Sequence, residues 1–289
     1  THKIEKAGSE HFKLKGTKVE NTLKGIATYE DDDFRIRVVQ QGELLENLDA
    51  AGKTVKWGQY LRAPEVYFEI LEKVGAYGHT PLLVPLKEVA EVGFGIKTGI
   101  NEFFHLTNEK IEHWDIEDEF LLPLLTSPKE IDTLYIDPNN IEFKVFVCSK
   151  TKKELRHAKQ LGALKYIEWG EKQRTKERGG HKKGGTPFPE VPSVQGRPFW
   201  YDLGKTASCD FVVNRFIGER FFFSINKAGA LIGDVAFVAD LKNRKDIDIF
   251  SAILNSTIVS LFVELNGRAG LGEGLLTFYG PDIVDLPVI

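Results

Sequence analysis

Methionine is missing from all 289 residues, position 1 included, so the chain is expected to be a piece of a longer protein. Cysteine is scarce: Cys148 and Cys209 are the only two, they stand far apart, and no CxxC spacing occurs. That argues against a disulfide framework and a thiolate zinc site, and it fits a reducing cytoplasm. No metal is implied. No apolar run approaches the roughly 18 residues that a membrane-spanning helix needs, and no signal-peptide pattern is present, so a cytoplasmic protein without a membrane partner is expected. The net charge of −4 is small, and any attraction to a polyanion must come from local clustering.

What is present, 42% hydrophobic and 28% charged residues, suits a folded protein of one large domain or two ordinary ones. Period-two alternation predicts strands over Phe34–Val39 and Ile141–Cys148, and a series of short strands between Phe211 and Ala239. Asn101–Leu106 also looks like a strand. Helical spacing predicts helices over Pro64–Lys73, over Glu109–Leu125 with an interruption at Pro123, and over Thr151–Ile167, where Gly162 weakens the pattern. Between Ile247 and Leu265 the i, i+3, i+4 spacing is the strongest in the chain, and Asn266-Gly267 ends it. The expected fold class is α+β: short mixed, mostly antiparallel strands in twisted sheets, with a C-terminal helix pair.

Glu91–Leu106 joins an apolar run, a loop holding Gly93, Gly95 and Gly99, and a second apolar run. Glycine there permits φ > 0 or a close backbone approach, and Lys97 and Thr98 sit between. Two nucleotide-loop readings fail on spacing. Ile96 separates Gly95 from Lys97, which breaks a Walker A loop, and a dinucleotide fingerprint needs a helix with a ribose-binding acid about 20 residues on.

Residues 150–183 carry twelve Lys and Arg against four Glu, an excess of eight in a chain whose total is negative. Such a face can gain affinity for nucleic acid by releasing counterions, or can simply be a solvated helix face and linker. Adjacent Trp200 and Tyr201 are read chiefly as core, with base stacking as the other use. His105, His113, Asp115 and Glu117 stand close enough in sequence to suggest a divalent-metal or nuclease site, although a charge cluster at a helix entry is the favoured reading.

Four stretches together resemble a known family: Gly95-Ile-Lys-Thr-Gly-Ile-Asn-Glu-Phe-Phe104, Tyr166-Ile-Glu-Trp-Gly-Glu171, Arg197-Pro-Phe-Trp-Tyr-Asp-Leu-Gly204 and Ile253-Leu-Asn-Ser-Thr257. They are similar to the target-recognition region that follows the catalytic domain in TaqI-like and Eco57I-like adenine-N6 DNA methyltransferases of prokaryotic restriction-modification systems. The resemblance implies a lead-in over residues 1–34, a remnant of the preceding catalytic domain, and a DNA target-recognition domain over 35–289. In that family the catalytic domain binds S-adenosylmethionine and carries an Asn/Asp-Pro-Pro-Tyr/Phe motif for the flipped adenine. This sequence has no Pro-Pro pair, so the resemblance implies recognition of double-stranded DNA without methyl transfer, no cofactor in this piece and S-adenosylmethionine in the parent. The implied partners are duplex DNA, the catalytic domain of the same chain and a restriction endonuclease subunit or domain. Reading base edges calls for Arg, Lys and Asn on loops set by a rigid scaffold. The candidates are Lys97, Thr98, Asn101, Lys182, Lys183, Arg197, Asn226, Lys227 and Arg268. The rival readings are a protein-interaction domain of a restriction-modification complex, docking through the C-terminal helix, and a stand-alone metal-dependent nuclease.

Overall fold

Alternation of apolar and charged side chains yields the first observed pairing, an antiparallel match of β1 (Ala27–Glu30) with β2 (Arg35–Val38). The computed structural model describes residues 27–30, 35–38, 60, 62–73, 83–176, 185–204, 206–218, 221–269 and 275–288, and the chain divides into two units, Thr1–Thr80 and Pro81–Ile289. The first unit also holds α1 (Glu65–Lys73), which Pro64 precedes, as the sequence predicts. Tyr67 and Phe68 are buried, with their rings edge to face at 4.9 Å.

The second unit is built on two four-stranded sheets. In the first, β4 (Ala90–Phe94), β12 (Ala236–Leu241), β8 (Phe211–Asn214) and β10 (Phe223–Ile225) lie side by side, all antiparallel. In the second, β5 (His105–Leu106), β7 (Phe143–Phe146) and β6 (Leu121–Leu125) pair antiparallel, and β11 (Leu231–Ile232) adds a parallel edge. A three-stranded sheet of β9 (Phe216–Ile217), β14 (Leu276–Thr277) and β13 (Arg268–Ala269), and a short pair of β3 (Val84–Pro85) with β15 (Pro287–Val288), complete the pairings, and the single turn α2 (Leu86–Val89) joins β3 to β4. Mixed helices with short, mainly antiparallel strands are the α+β fold that the patterning predicts.

Three local expectations are corrected. Phe120–Leu125 is strand β6 rather than helix, preceded by the short α4 (Asn108–Trp114) and a 3-10 turn. Pro123 is tolerated because the Val147 N–H donates to Phe120 O across the ladder, which by period two turns Pro123 away from β7 and toward the side where β11 reaches only Leu124 and Leu125. Asn101–Phe104 is a single helical turn, α3, before β5; the N–H groups of Phe103 and Phe104 both donate to Ile100 O. The helix expected over Thr151–Ile167 is two, α5 (Lys152–His157) under a Thr151–Glu154 capping box and α6 (Leu161–Gly170). They part at Lys159, which takes φ 59°. Gly162 is there for closeness: a Cβ would stand 1.8 Å from Asp115 O.

The apolar run after Ile247 is likewise a pair, α7 (Ile247–Leu254) and α8 (Thr257–Asn266), bent by 69°. Asn255 breaks it by exchanging two hydrogen bonds of 3.0 Å with the Phe223 backbone, and Ser256 caps α8 through the Val259 N–H. No single helix among the described residues is long and apolar enough to cross a membrane.

The larger core gathers round Phe103, whose ring stacks on Tyr166 at 4.7 Å and meets Trp200 at 4.5 Å and Phe146 at 5.6 Å. Trp200 and Tyr201 therefore belong to packing, with the Tyr201 hydroxyl donating to Lys150 O at 3.1 Å. A smaller core of Leu125, Ile136, Val212 and Ile232 bridges the two sheets.

Candidate nucleic-acid interface

Two of the chain's passages between the two sheets, residues 95–100 and residues 233–235, touch one another. The Ile96 N–H donates to Ile232 O at 2.6 Å and the Gly95 N–H to Ala236 O at 3.1 Å. The three glycines of this stretch differ in what they need. Gly95 allows the approach, since a Cβ would lie 1.9 Å from Gly233 O; Gly99 takes φ 81°; Gly93 needs neither, having ordinary room beside Val238.

Arg197 closes this crossing from outside. Its guanidinium donates to Lys97 O at 3.1 Å and Thr98 O at 2.9 Å and lies 5.4 Å over the Phe104 ring, and burial lowers its pKa. A donor engaged with two carbonyls positions the loop, so the expected DNA contact at Arg197 becomes a structural one. Thr98 is buried, and its hydroxyl donates to the Asn101 side chain at the start of α3. Lys97 and Asn101 stay exposed, and they share a cleft of about 920 Å³ with Lys176, Glu102, Glu190 and Asp234. Two lysines against three carboxylates do not make a phosphate cradle. Lysine, asparagine and carboxylate together match the donors and acceptors that base edges present.

Near this cleft the basic segment is less cationic than its composition suggests. Lys150 pairs with Glu119 at 3.0 Å, Lys152 with Glu171 at 2.7 Å and Arg156 with Glu168 at 3.5 Å. Lys153, Lys159, Lys165, Lys172 and Lys176 are exposed and have no ion pair among the described residues. Lys182 and Lys183 lie outside the described residues.

The remaining candidates are not brought to the cleft. Asn226 is buried: its amide donates to Ala230 O at 2.8 Å and its carbonyl accepts from the Ala230 N–H at 3.1 Å, closing a turn where no base edge reaches it. Lys227 is exposed and sits 4.3 Å over the exposed Tyr135 ring. Arg268 stands on β13, its guanidinium 4.4 Å over the Tyr279 ring and 3.9 Å from Asp282. Arg215 and Phe216, which with Tyr279 share its face of the sheet, are not among the residues that the sequence singles out; the adjacent Arg215-Phe216, two positions before Gly218, was the signal.

The imagined metal site dissolves. Glu117 accepts from the N–H groups of Gly162 and Ala163 at 3.0 and 2.9 Å, capping α6, while Asp115 ends α4 in the left-handed region at φ 51°. Among the described residues no three His, Cys, Asp or Glu gather as metal ligands.

Residues 54–289 match the family model described as the C-terminal domain of type II methyltransferase M.Eco57I. The chain belongs to that family. Type II methyltransferase M.AccI of Acinetobacter calcoaceticus is 24% identical over 206 residues, which cover 70% of this chain and 36% of that protein. Among solved structures, the type IIG restriction endonuclease BpuSI aligns with TM-score 0.47 and 15% identity over 93% of this chain and 30% of its own. The M.Eco57I C-terminal region thus accounts for most of the chain, and the chain spans about a third of the length of these relatives. Within the family match fall both crossings, the cleft and the three-stranded sheet.

Proposed function

We propose that this domain recognises a specific duplex DNA sequence for an adenine-N6 DNA methyltransferase of a restriction-modification system. In this reading S-adenosylmethionine and methyl transfer belong to a catalytic domain of the same protein, a restriction endonuclease domain or subunit is the functional partner, and the work is done in the cytoplasm. The observation that carries it is the cleft itself. Lys97 and Asn101, held by a crossing that Arg197 locks, and the three carboxylates that line the same cleft form a mixed donor and acceptor surface beside lysines that are exposed and have no ion pair among the described residues. Base edges present donors as well as acceptors, whereas phosphate oxygens only accept, so carboxylates beside Lys97 and Asn101 suit bases rather than the backbone.

The two roles separate in a mobility-shift measurement on a pool of random duplexes, followed by selection of the preferred sequence. Lys97→Ala is expected to reduce preference for the selected duplex about tenfold while leaving the salt dependence unchanged. Lys172→Ala is expected to weaken all duplexes alike and lower the slope of log affinity against log salt by about 0.9. No retardation of any duplex at low salt would refute the reading.

A further inference from the structure

The three-stranded sheet presents a second surface, apart from the cleft. In its antiparallel register Thr277 stands opposite both Arg268 and Phe216, so these three side chains share a face, and Tyr279 follows two residues later. Phe216 and Tyr279 are 41% and 42% exposed, large values for aromatic rings at a sheet edge. Two guanidinium groups are layered with them: Arg268 lies 4.4 Å over the Tyr279 ring, and Arg215 lies 5.7 Å over the same ring and 5.4 Å over that of Phe216.

Among the described residues neither arginine has a carboxylate closer than 3.9 Å. Arg268 is 57% exposed, and its nearest carboxylate among the described residues, Asp282, is 3.9 Å away and itself 4% exposed, accepting the Tyr279 N–H at 3.0 Å. Arg215 Nε and Thr277 Oγ1 are buried without a hydrogen-bond partner among the described residues, so ring faces rather than a carboxylate hold the Arg215 guanidinium.

We infer that this face seats an unpaired nucleotide of DNA, its base stacked on the Arg268–Tyr279 layer beside Phe216 and its phosphate met by Arg215. The inference rests on the DNA-binding reading above and names what this second surface takes. Exposed aromatic rings layered with arginine are the pattern that stacks bases without reading their sequence. In a paired duplex every base face is covered by its neighbours, so only an unpaired or extruded nucleotide offers its face to the Arg268–Tyr279 layer. The cleft reads edges and this face takes the flat of a base.

The test compares two duplexes of one sequence, fully paired or carrying a single bulged 2-aminopurine. The unaltered chain is expected to bind the bulged duplex about tenfold more tightly and to quench its fluorescence. Tyr279→Ala should remove both effects and leave the paired duplex bound as before; Tyr279→Trp should keep them. Phe216→Ser, at an exposed position, provides an independent variant and should lower the preference several-fold. Equal binding of the two duplexes by the unaltered chain, or a preference that survives Tyr279→Ala and Phe216→Ser, overturns the seat while leaving the edge-reading cleft intact. Failure to bind either duplex at low salt overturns both readings together.

Discussion

Arg197 and Arg268 are alike in sequence setting and opposite in use. Each directly follows a glycine, Gly196 or Gly267, and each covers an aromatic ring, Phe104 at 5.4 Å or Tyr279 at 4.4 Å. Arg197 then gives two hydrogen bonds to the carbonyls of Lys97 and Thr98, and burial depresses its pKa. Arg268 keeps a 57% exposed side chain and a carboxylate no closer than 3.9 Å. The first arginine fixes the scaffold and the second is left to meet something else. A cation beside a glycine is therefore no guide to a ligand until its donors have been traced.

The largest expected effect lies on the buried side of this contrast. Gly95→Ala places a methyl group against Gly233 O at 1.9 Å, a backbone atom of the other crossing, and should cost at least about 3 kcal/mol in denaturant unfolding. Gly93→Ala, with Val238 at 3.8 Å, should stay within about 1 kcal/mol. Equal losses would show that the two crossings do not depend on their contact. Next comes Arg197→Lys, expected to lose about 2 kcal/mol, because an ammonium cannot present two coplanar donors to Lys97 O and Thr98 O while stacking on Phe104. Full stability in that variant would break the comparison by freeing Arg197 from its structural role.

The same tracing of partners marks how far the sequence could be read. Strands β2 and β7 were legible from the alternation of apolar and charged residues, β8 from its short β-branched apolar run, and helix α1 from the proline that precedes it. The break at Asn255 was hidden because its partner, the Phe223 backbone, is 32 residues away. Phe120–Leu125 misled because a run buried on both faces has no period to distinguish strand from helix. At the site, the glycine loop was visible as a junction and Lys97 and Asn101 as its polar residues. That Thr98 and Asn226 face inward depends on Asn101 and Ala230, geometry that residue types alone do not carry.

Lys110 gives a milder test of the buried side. Its Nζ donates to Glu102 O at 2.6 Å and sits 5.3 Å over the rings of both Tyr166 and Trp169; burial lowers its pKa to about 8 from the ordinary 10.5, against a smaller opposing pull from Glu102. Between those two values the unfolded chain holds more protons than the folded one, so stability should rise with pH across that window. Below about 8 the burial penalty applies in full. Unfolding midpoints measured from pH 7 to 10.5 should show this rise in the unaltered chain and a flatter profile in Lys110→Met; an identical profile would mean that Lys110 is solvated.

Arg268→Ala should have the smallest effect on stability, and that smallness is its content. An exposed ion pair at 3.9 Å contributes little, so unfolding should shift by no more than about 0.5 kcal/mol. If a phosphate is met nearby, the same variant should lower the salt slope of duplex binding by up to about 0.9, an effect that Arg197→Lys should not reproduce once corrected for folded fraction. A loss of about 2 kcal/mol on removing Arg268 would instead make its layer over Tyr279 a packing element like that of Arg197 over Phe104, and the two arginines would no longer differ in kind.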